Sequence, residues 1–157
     1  MLVSLTGCSG IVTWRTAYSS APSYRHDELL VQETNCFPAD CEVQVVVQRG
    51  WQSQQIAHEF DCVIHFAHAA WSGSVVAVFV DGFYCGQIKV AYDTETKRKV
   101  DFESAQAWLK PAIVEAYNVT AEELKANDGD VFKWATYPGD GESRRSVREF
   151  GSRFRRH

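Results

Sequence analysis

The sequence predicts a single α+β domain in which an antiparallel β-sheet is covered by a helix. Residues 75–80 are six consecutive apolar residues, and the Asp81-Gly82 dipeptide that follows them is typical of tight hairpins. Residues 83–92 are rich in strand-forming residues and can return antiparallel to the first run. Residues 102–117 repeat their apolar side chains with the period of a helix. A chain of 157 residues is long enough to bury one core and suits one domain.

The first fifty residues contain strand signals and one helix signal. Residues 2–6 and 11–18 are β-rich runs around a glycine-containing loop, which predicts a hairpin. Ser23 is a suitable N-cap for a short helix over residues 24–33. The alternating segment 42–48 predicts a further strand.

Residues 53–71 support two interpretations. Residues 60–69 are dense in β-branched and aromatic side chains, which favours a strand. A helix over the whole segment would place its apolar residues on one stripe. That stripe contains Ile56, Phe60, Val63, Ile64, Ala67 and Trp71.

The Asp81-Gly82 dipeptide also predicts the register of the central hairpin. If these two residues form the turn, Val80 faces Phe83 and Val78 faces Cys85. An uninterrupted apolar strand is buried on both faces, so this hairpin needs cover above and below. The central hairpin is therefore expected to comprise residues 74–80 and 83–92.

The second half of the chain supplies that cover. Asp101 is a suitable N-cap for the helix over residues 102–117, and Pro111 is expected to kink this helix or split it. Thr120 and Glu123 form a capping box that opens a short helix. Residues 131–137 predict a last strand.

The charge is divided between two segments. Residues 1–142 hold 10 Lys and Arg residues against 19 Asp and Glu residues, a net charge of −9. Residues 143–157 hold six Arg residues and one Glu, a net charge of +5. The chain is therefore expected to be an acidic domain over residues 1–142 followed by an arginine-rich tail or short amphipathic helix over residues 143–157.

The tail has the composition of a phosphate-binding or partner-binding segment. Arginine suits bidentate phosphate contacts, and phenylalanine can stack on bases. The alternatives are that the tail docks on its own acidic body or stays an unfolded solubilising end. The candidate partner or nucleic-acid contacts are Arg144, Arg145, Arg148, Phe150, Arg153, Phe154, Arg155 and Arg156.

The five cysteines predict reduced, buried thiols. An odd number of cysteines cannot pair completely within one chain, although Cys36 and Cys41 flank a turn across which a bridge is geometrically allowed. The segment ending in Cys8 looks like a lipoprotein cleavage box, but no basic residue and no apolar segment precede it. No run of 18 apolar residues predicts a membrane span. We therefore expect a cytoplasmic protein.

One cluster of residues has metal-ligand chemistry. His58, Cys62 and His65 would share a face of a helix, whereas His65 and His68 would point to opposite sides of a strand. No second pair of cysteine or histidine ligands completes a site. The sequence also contains no Walker A loop, no dinucleotide fingerprint and no nucleophile elbow. No metal, cofactor or catalytic residue is therefore predicted.

One segment resembles a known enzyme family. The run over residues 77–90 resembles the central hairpin of GNAT-type acetyltransferases, which bind a pyrophosphate with a glycine-containing loop that opens a helix. The corresponding segment here, residues 94–99, contains no glycine. The part of the pattern that would bind the cofactor is therefore missing.

These observations favour a non-enzymatic binding protein that acts through its surface on a protein partner. Small acidic proteins of phages and mobile elements often inhibit host nucleic-acid machines such as CRISPR complexes in this way. One alternative is a nucleic-acid-binding protein that uses the arginine tail, and another is a small metal- or thiol-dependent enzyme. A homo-oligomer is compatible with each of these functions.

Overall fold

The computed structural model describes residues 11–15, 18–19, 27–35 and 41–136, which form nine strands and then three helices. The predicted α+β class is confirmed. The strands are β1 (Ile11–Arg15), β2 (Tyr18–Ser19), β3 (Glu28–Asn35), β4 (Cys41–Arg49), β5 (Gln52–Phe60), β6 (Val63–Ser72), β7 (Val75–Phe83), β8 (Gly86–Asp93) and β9 (Arg98–Val100). The helices are α1 (Phe102–Tyr117), α2 (Ala121–Ala126) and α3 (Val131–Ala135).

The strands form two sheets. The first has the order β1-β3-β4-β5 and is antiparallel throughout. The second has the order β2-β6-β7-β8-β9 and is antiparallel except that β2 runs parallel to β6. The hairpin of β7 and β8 lies inside the second sheet, as the sequence predicts.

Two separate cores hold three layers together. Val76, Val78 and Val80 of β7 face the first sheet and belong to the core between the sheets. Ala77 and Phe79 point the opposite way and belong to the core between the second sheet and the helices. Strand β7 is therefore buried on both faces, which explains its uninterrupted apolar sequence.

Helix α1 has the predicted bounds. The Asp101 carboxylate accepts hydrogen bonds from the amides of Glu103 and Ser104, and Asn118 ends the helix in the left-handed conformation. The predicted split at Pro111 is wrong, because the helix continues through this residue. Pro111 is exposed, so water can hydrogen-bond the one carbonyl that its missing amide leaves free.

We predict that Asp101→Ala lowers the free energy of unfolding by about 1 kcal/mol, because two amides lose their acceptor. Chemical denaturation measures this change. Asp101→Ser is the matched control, since serine retains an oxygen that can cap the helix, and it should restore most of the loss. Equal losses in both variants would contradict a capping role.

Two predicted elements are wrong in type. The predicted helix over residues 24–33 is strand β3 where it is described, because Leu29, Val31 and Glu33 point inward in alternation. The predicted strand over residues 131–137 is helix α3 up to Ala135. Its buried residues recur at helical spacing, which five residues are too short to reveal in the sequence. These residues are Val131, Phe132, Trp134 and Ala135.

The ambiguous segment 53–71 consists of strands. Strand β5 belongs to the first sheet and β6 to the second, and Asp61 turns the chain between them at a φ of 51°. The helical interpretation of this segment is wrong. Strand β4 and the capping box of Thr120 and Glu123 are confirmed. The predicted strand 2–6, Ser23, Cys36 and the tail over residues 143–157 lie outside the described residues.

The central hairpin turns later than the sequence suggests. Val80 faces Ile88 and Val78 faces Val90, so the predicted register is wrong. Gly82 pairs with Gly86, and the turn contains Tyr84 at a φ of 72°. This later turn places Cys85 beside the start of β6.

Candidate functional site

The predicted contacts of the arginine tail cannot be placed. Arg144, Arg145, Arg148, Phe150, Arg153, Phe154, Arg155 and Arg156 all lie outside the described residues. Nucleic-acid binding through the tail and docking of the tail on the acidic body both stay predictions.

The structure separates the residues that carried metal-ligand chemistry. The His58 Nε2 lies 2.8 Å from a Glu42 carboxylate oxygen, and the His65 Nδ1 lies 3.1 Å from an Asp81 carboxylate oxygen. His68 is fully buried, its ring meets Tyr117 edge to face, and burial lowers the pKa of His68 to about 4. No group of three or more His, Cys, Asp or Glu side chains in the described part of the chain is arranged to hold a metal ion.

Cys62 and Cys85 form a disulfide, so the prediction of reduced thiols is wrong for these two residues. The bond joins the connection between β5 and β6 to the loop between β7 and β8. Gly82 lies directly beneath it, and a Cβ at this position would approach both sulfur atoms to 2.5 Å. A bonded sulfur is not a nucleophile, so these two cysteines form a structural cross-link in this state.

A groove opens on one side of the two sheets. It is lined by residues 57–59 of β5, 87–91 of β8, 99–100 of β9 and Phe102 at the start of α1, and its volume is about 360 Å³. One wall is therefore β5, the last strand of the first sheet, and the other is formed by β8 and β9 at the edge of the second sheet. The sequence does not predict this groove, because the groove depends on the order of the strands within each sheet.

Strand β5 presents one wall of the groove as an open sheet edge. It is the terminal strand of its sheet, and no strand of the described residues pairs with its outer side. Most of its side chains are exposed, and its end carries Phe60 with 66% of its surface exposed. A β-bulge beside Ile56 interrupts the edge. An open edge of nine residues offers main-chain donors and acceptors to another chain.

Strand β8 presents a second open edge on the opposite wall. The three residues of β9 pair only with Ala91, Tyr92 and Asp93 of β8, and the chain then leaves the sheet at Asp101 to enter α1. Within the described ranges, nothing pairs with residues 86–90 on this side. We call this strand position, which no strand of the described residues occupies, the β8 lane.

The charges around the β8 lane are mainly positive. The Lys89 ammonium lies 5.4 Å from the centre of the Phe132 ring, and the Lys110 ammonium lies 5.0 Å from the same centre. Lys110 also pairs with Asp130 at 3.6 Å. Lys99 lines the end of the lane, and Glu59 lies on the β5 wall. The groove is thus basic on the β8 side although the chain as a whole is acidic.

Gln87 fixes the far end of the lane. Its side-chain amide donates a hydrogen bond of 2.8 Å to the Thr136 hydroxyl, just after helix α3. This bond ties the end of the helical layer to the open edge of β8. The lane is therefore bordered by β9 at one end and by Thr136 at the other.

No protein-family model, no curated protein and no solved structure matches this chain. No helix of the described residues is long and apolar enough to cross a membrane. The groove and its two open strand edges are therefore the features of the described residues that indicate a function.

Proposed function

We propose that this protein is a non-enzymatic binding protein that recognises a protein partner through the groove between β5 and β8. The observation that supports this proposal is the convergence of two open strand edges on one groove. Open edges commonly bind an extended segment of another protein, because main-chain hydrogen bonds supply affinity and adjacent pockets supply specificity. Solvent-exposed edges of this length are otherwise protected in monomeric proteins.

The exposed aromatic residues support the same proposal. Phe60 lies at the end of the β5 edge, and Tyr84, with 92% of its surface exposed, lies in the loop before β8. The strand order places both residues at the same end of the two sheets, near the start of β6. Large aromatic side chains are enriched at the centres of protein interfaces.

The net charge of the chain and its disulfide both bear on the class of protein that the partner belongs to. An acidic surface over residues 1–142 suits a partner with a basic channel, including an inhibitory role against a nucleic-acid machine such as a CRISPR complex. The Cys62–Cys85 disulfide is typical of oxidising compartments and weighs against the cytoplasmic location that such a role requires. The proposal therefore names a protein partner and no specific machine.

Position-specific photocrosslinking tests this function. A benzophenone amino acid replaces Glu59 on the β5 wall or Gln87 on the β8 wall, both of which line the groove and are exposed. The full chain is then irradiated in a lysate of its own source cells. We expect the same covalent protein adduct from both groove positions, because a bound segment would contact both walls.

The control places the same amino acid at Glu122, which is exposed on α2 and belongs to no wall of the groove. An adduct that forms equally well at Glu122 would contradict the proposal. The absence of any protein adduct at Glu59 and Gln87 would contradict it as well.

A further inference from the structure

We infer that the β8 lane binds an extended segment of the partner in which small apolar residues alternate with acidic residues. This inference rests on the proposed function and specifies the chemistry of the segment that the groove would recognise.

The lane has the geometry of a missing strand. Residues 86–90 present the outer edge of β8 beyond the point where β9 ends, so an added segment would continue the line of β9 along the sheet. Five residues of a strand extend over roughly 17 Å. The added segment would hydrogen-bond to β8 through its main chain, which fixes its extended conformation.

Side chains along β8 alternate between the two faces of the sheet, and this alternation assigns a face to each residue of the added segment. Ile88 and Val90 belong to the core between the sheets, whereas Lys89 lies over Phe132 on the helical side. Residues directly opposite each other on neighbouring strands share a face. Every second residue of the segment would therefore enter the groove beside Ile88 and Val90, which are apolar. The two or three side chains that enter would share a volume of about 360 Å³, so small apolar side chains fit it.

The intervening residues of the segment would face positive charge. Lys89 and Lys110 converge on the Phe132 ring, on the helical side of the lane. Lys99 pairs with Tyr92 and therefore lies on the opposite face, so it does not add to this charge. Asp130 is the one carboxylate of the described residues that pairs with any of these three lysines. An acidic side chain beside Lys89 would gain attraction from ammonium groups that carry an excess of positive charge.

Peptide titration of the full, disulfide-bonded chain tests the inference. The probe is a capped peptide that alternates valine and glutamate, and the comparison peptide alternates valine and lysine. Backbone amide resonances are followed by NMR. We expect saturable shifts at residues 86–90 and 99–100 with the glutamate peptide, and an affinity at least about tenfold lower for the lysine peptide.

Methylation of alternate peptide nitrogens gives a second test. A methylated amide cannot donate to the edge of β8, so one of the two methylation patterns should abolish the shifts while the other retains them. If both methylated peptides still caused the shifts, the proposal that the segment adds to β8 as a strand would be overturned.

Charge reversal tests the role of the lysines. Lys89→Glu combined with Lys110→Glu should reverse the preference between the two peptides, whereas Lys125→Glu on exposed α2 is the matched control and should not. If the double variant fails to fold, titration of the unmodified chain against sodium chloride replaces it. Affinity for the glutamate peptide should then fall as salt rises.

The outcomes separate this inference from the proposed function. Absence of shifts at residues 86–90, or equal affinity for both peptides, would overturn the inference even if Glu59 and Gln87 crosslink to a partner. Binding of the glutamate peptide without any crosslinked partner would support the chemistry of the lane and contradict the proposed function.

Discussion

Replacing Gly82 with alanine is expected to lower the free energy of unfolding by about 3 kcal/mol, a loss similar to that of removing a disulfide. An alanine Cβ would approach the Sγ atoms of Cys62 and Cys85 to 2.5 Å, a separation that real Cβ atoms do not adopt. Gly82 belongs to β7, and the residues before it in this strand are buried on both faces, so the strand cannot move aside easily. The disulfide must therefore fail to form, which leaves two thiols, or the hairpin loop must move away from β6.

The size of the effect follows from the loop that the disulfide closes. Cys62 and Cys85 are 23 residues apart, and the loss of loop-closure entropy in the unfolded chain for such a separation is worth about 3 kcal/mol. Urea denaturation measures the loss in the free energy of unfolding for four proteins. They are the unmodified chain, Gly82→Ala, the double variant Cys62→Ala with Cys85→Ala, and the triple variant that combines all three substitutions. In the background without the disulfide, Gly82→Ala should cost much less, because the clashing sulfur atoms are absent.

Gly73→Ala is the matched control for this prediction. Gly73 lies in a turn at a φ of 57°, and nothing lies within 4 Å of the position that its Cβ would occupy. Its substitution should cost about 1 kcal/mol for the backbone conformation alone, whether or not the disulfide is present. Equal losses for Gly82→Ala with and without the disulfide would contradict the clash as the cause.

Elements with a long and regular pattern could be predicted from the sequence. Helix α1 repeats its apolar residues over four turns and starts at a capping aspartate, so both its type and its bounds follow from local chemistry. Strand β7 is uninterrupted because both of its faces are covered. In these two elements, local preference and tertiary packing favour the same structure.

The turn of the central hairpin could not be predicted, because a distant contact overrides the local signal. The Asp81-Gly82 dipeptide favours a turn, yet both residues stay in β7. Gly82 is required in the strand because the disulfide lies against it. Cysteine spacing alone does not reveal which residues pair, so no pattern in the sequence identifies this bond.

The candidate site could not be predicted for a related reason. Strand β5 has a polar sequence with one buried apolar residue, Ile56, and nothing local distinguishes an edge strand from an exposed helix or loop there. The groove exists because β5 ends one sheet while β9 covers only part of β8. Strand order is a property of long-range pairing, which a single sequence does not display.

The stability of the protein is expected to depend on pH through His68. This residue is fully buried, and burial lowers the pKa of its ring from 6.5 in the unfolded chain to about 4 in the folded protein. The unfolded chain therefore binds more protons than the folded chain between these two values. The contribution of His68 to stability is complete above pH 6.5 and is lost as the pH falls toward 4. The loss between pH 7 and pH 5 should be about 2 kcal/mol.

The variant His68→Phe isolates this effect, because phenylalanine can retain the edge-to-face contact with Tyr117 but does not titrate. Urea denaturation at pH 7 and pH 5 gives the change in the free energy of unfolding for each protein. Every other titratable side chain is the same in both proteins, so the comparison isolates His68. The unmodified chain should lose about 2 kcal/mol more than the variant. Equal losses, or an NMR titration in which the His68 ring protonates near pH 6.5 in the folded protein, would contradict this account.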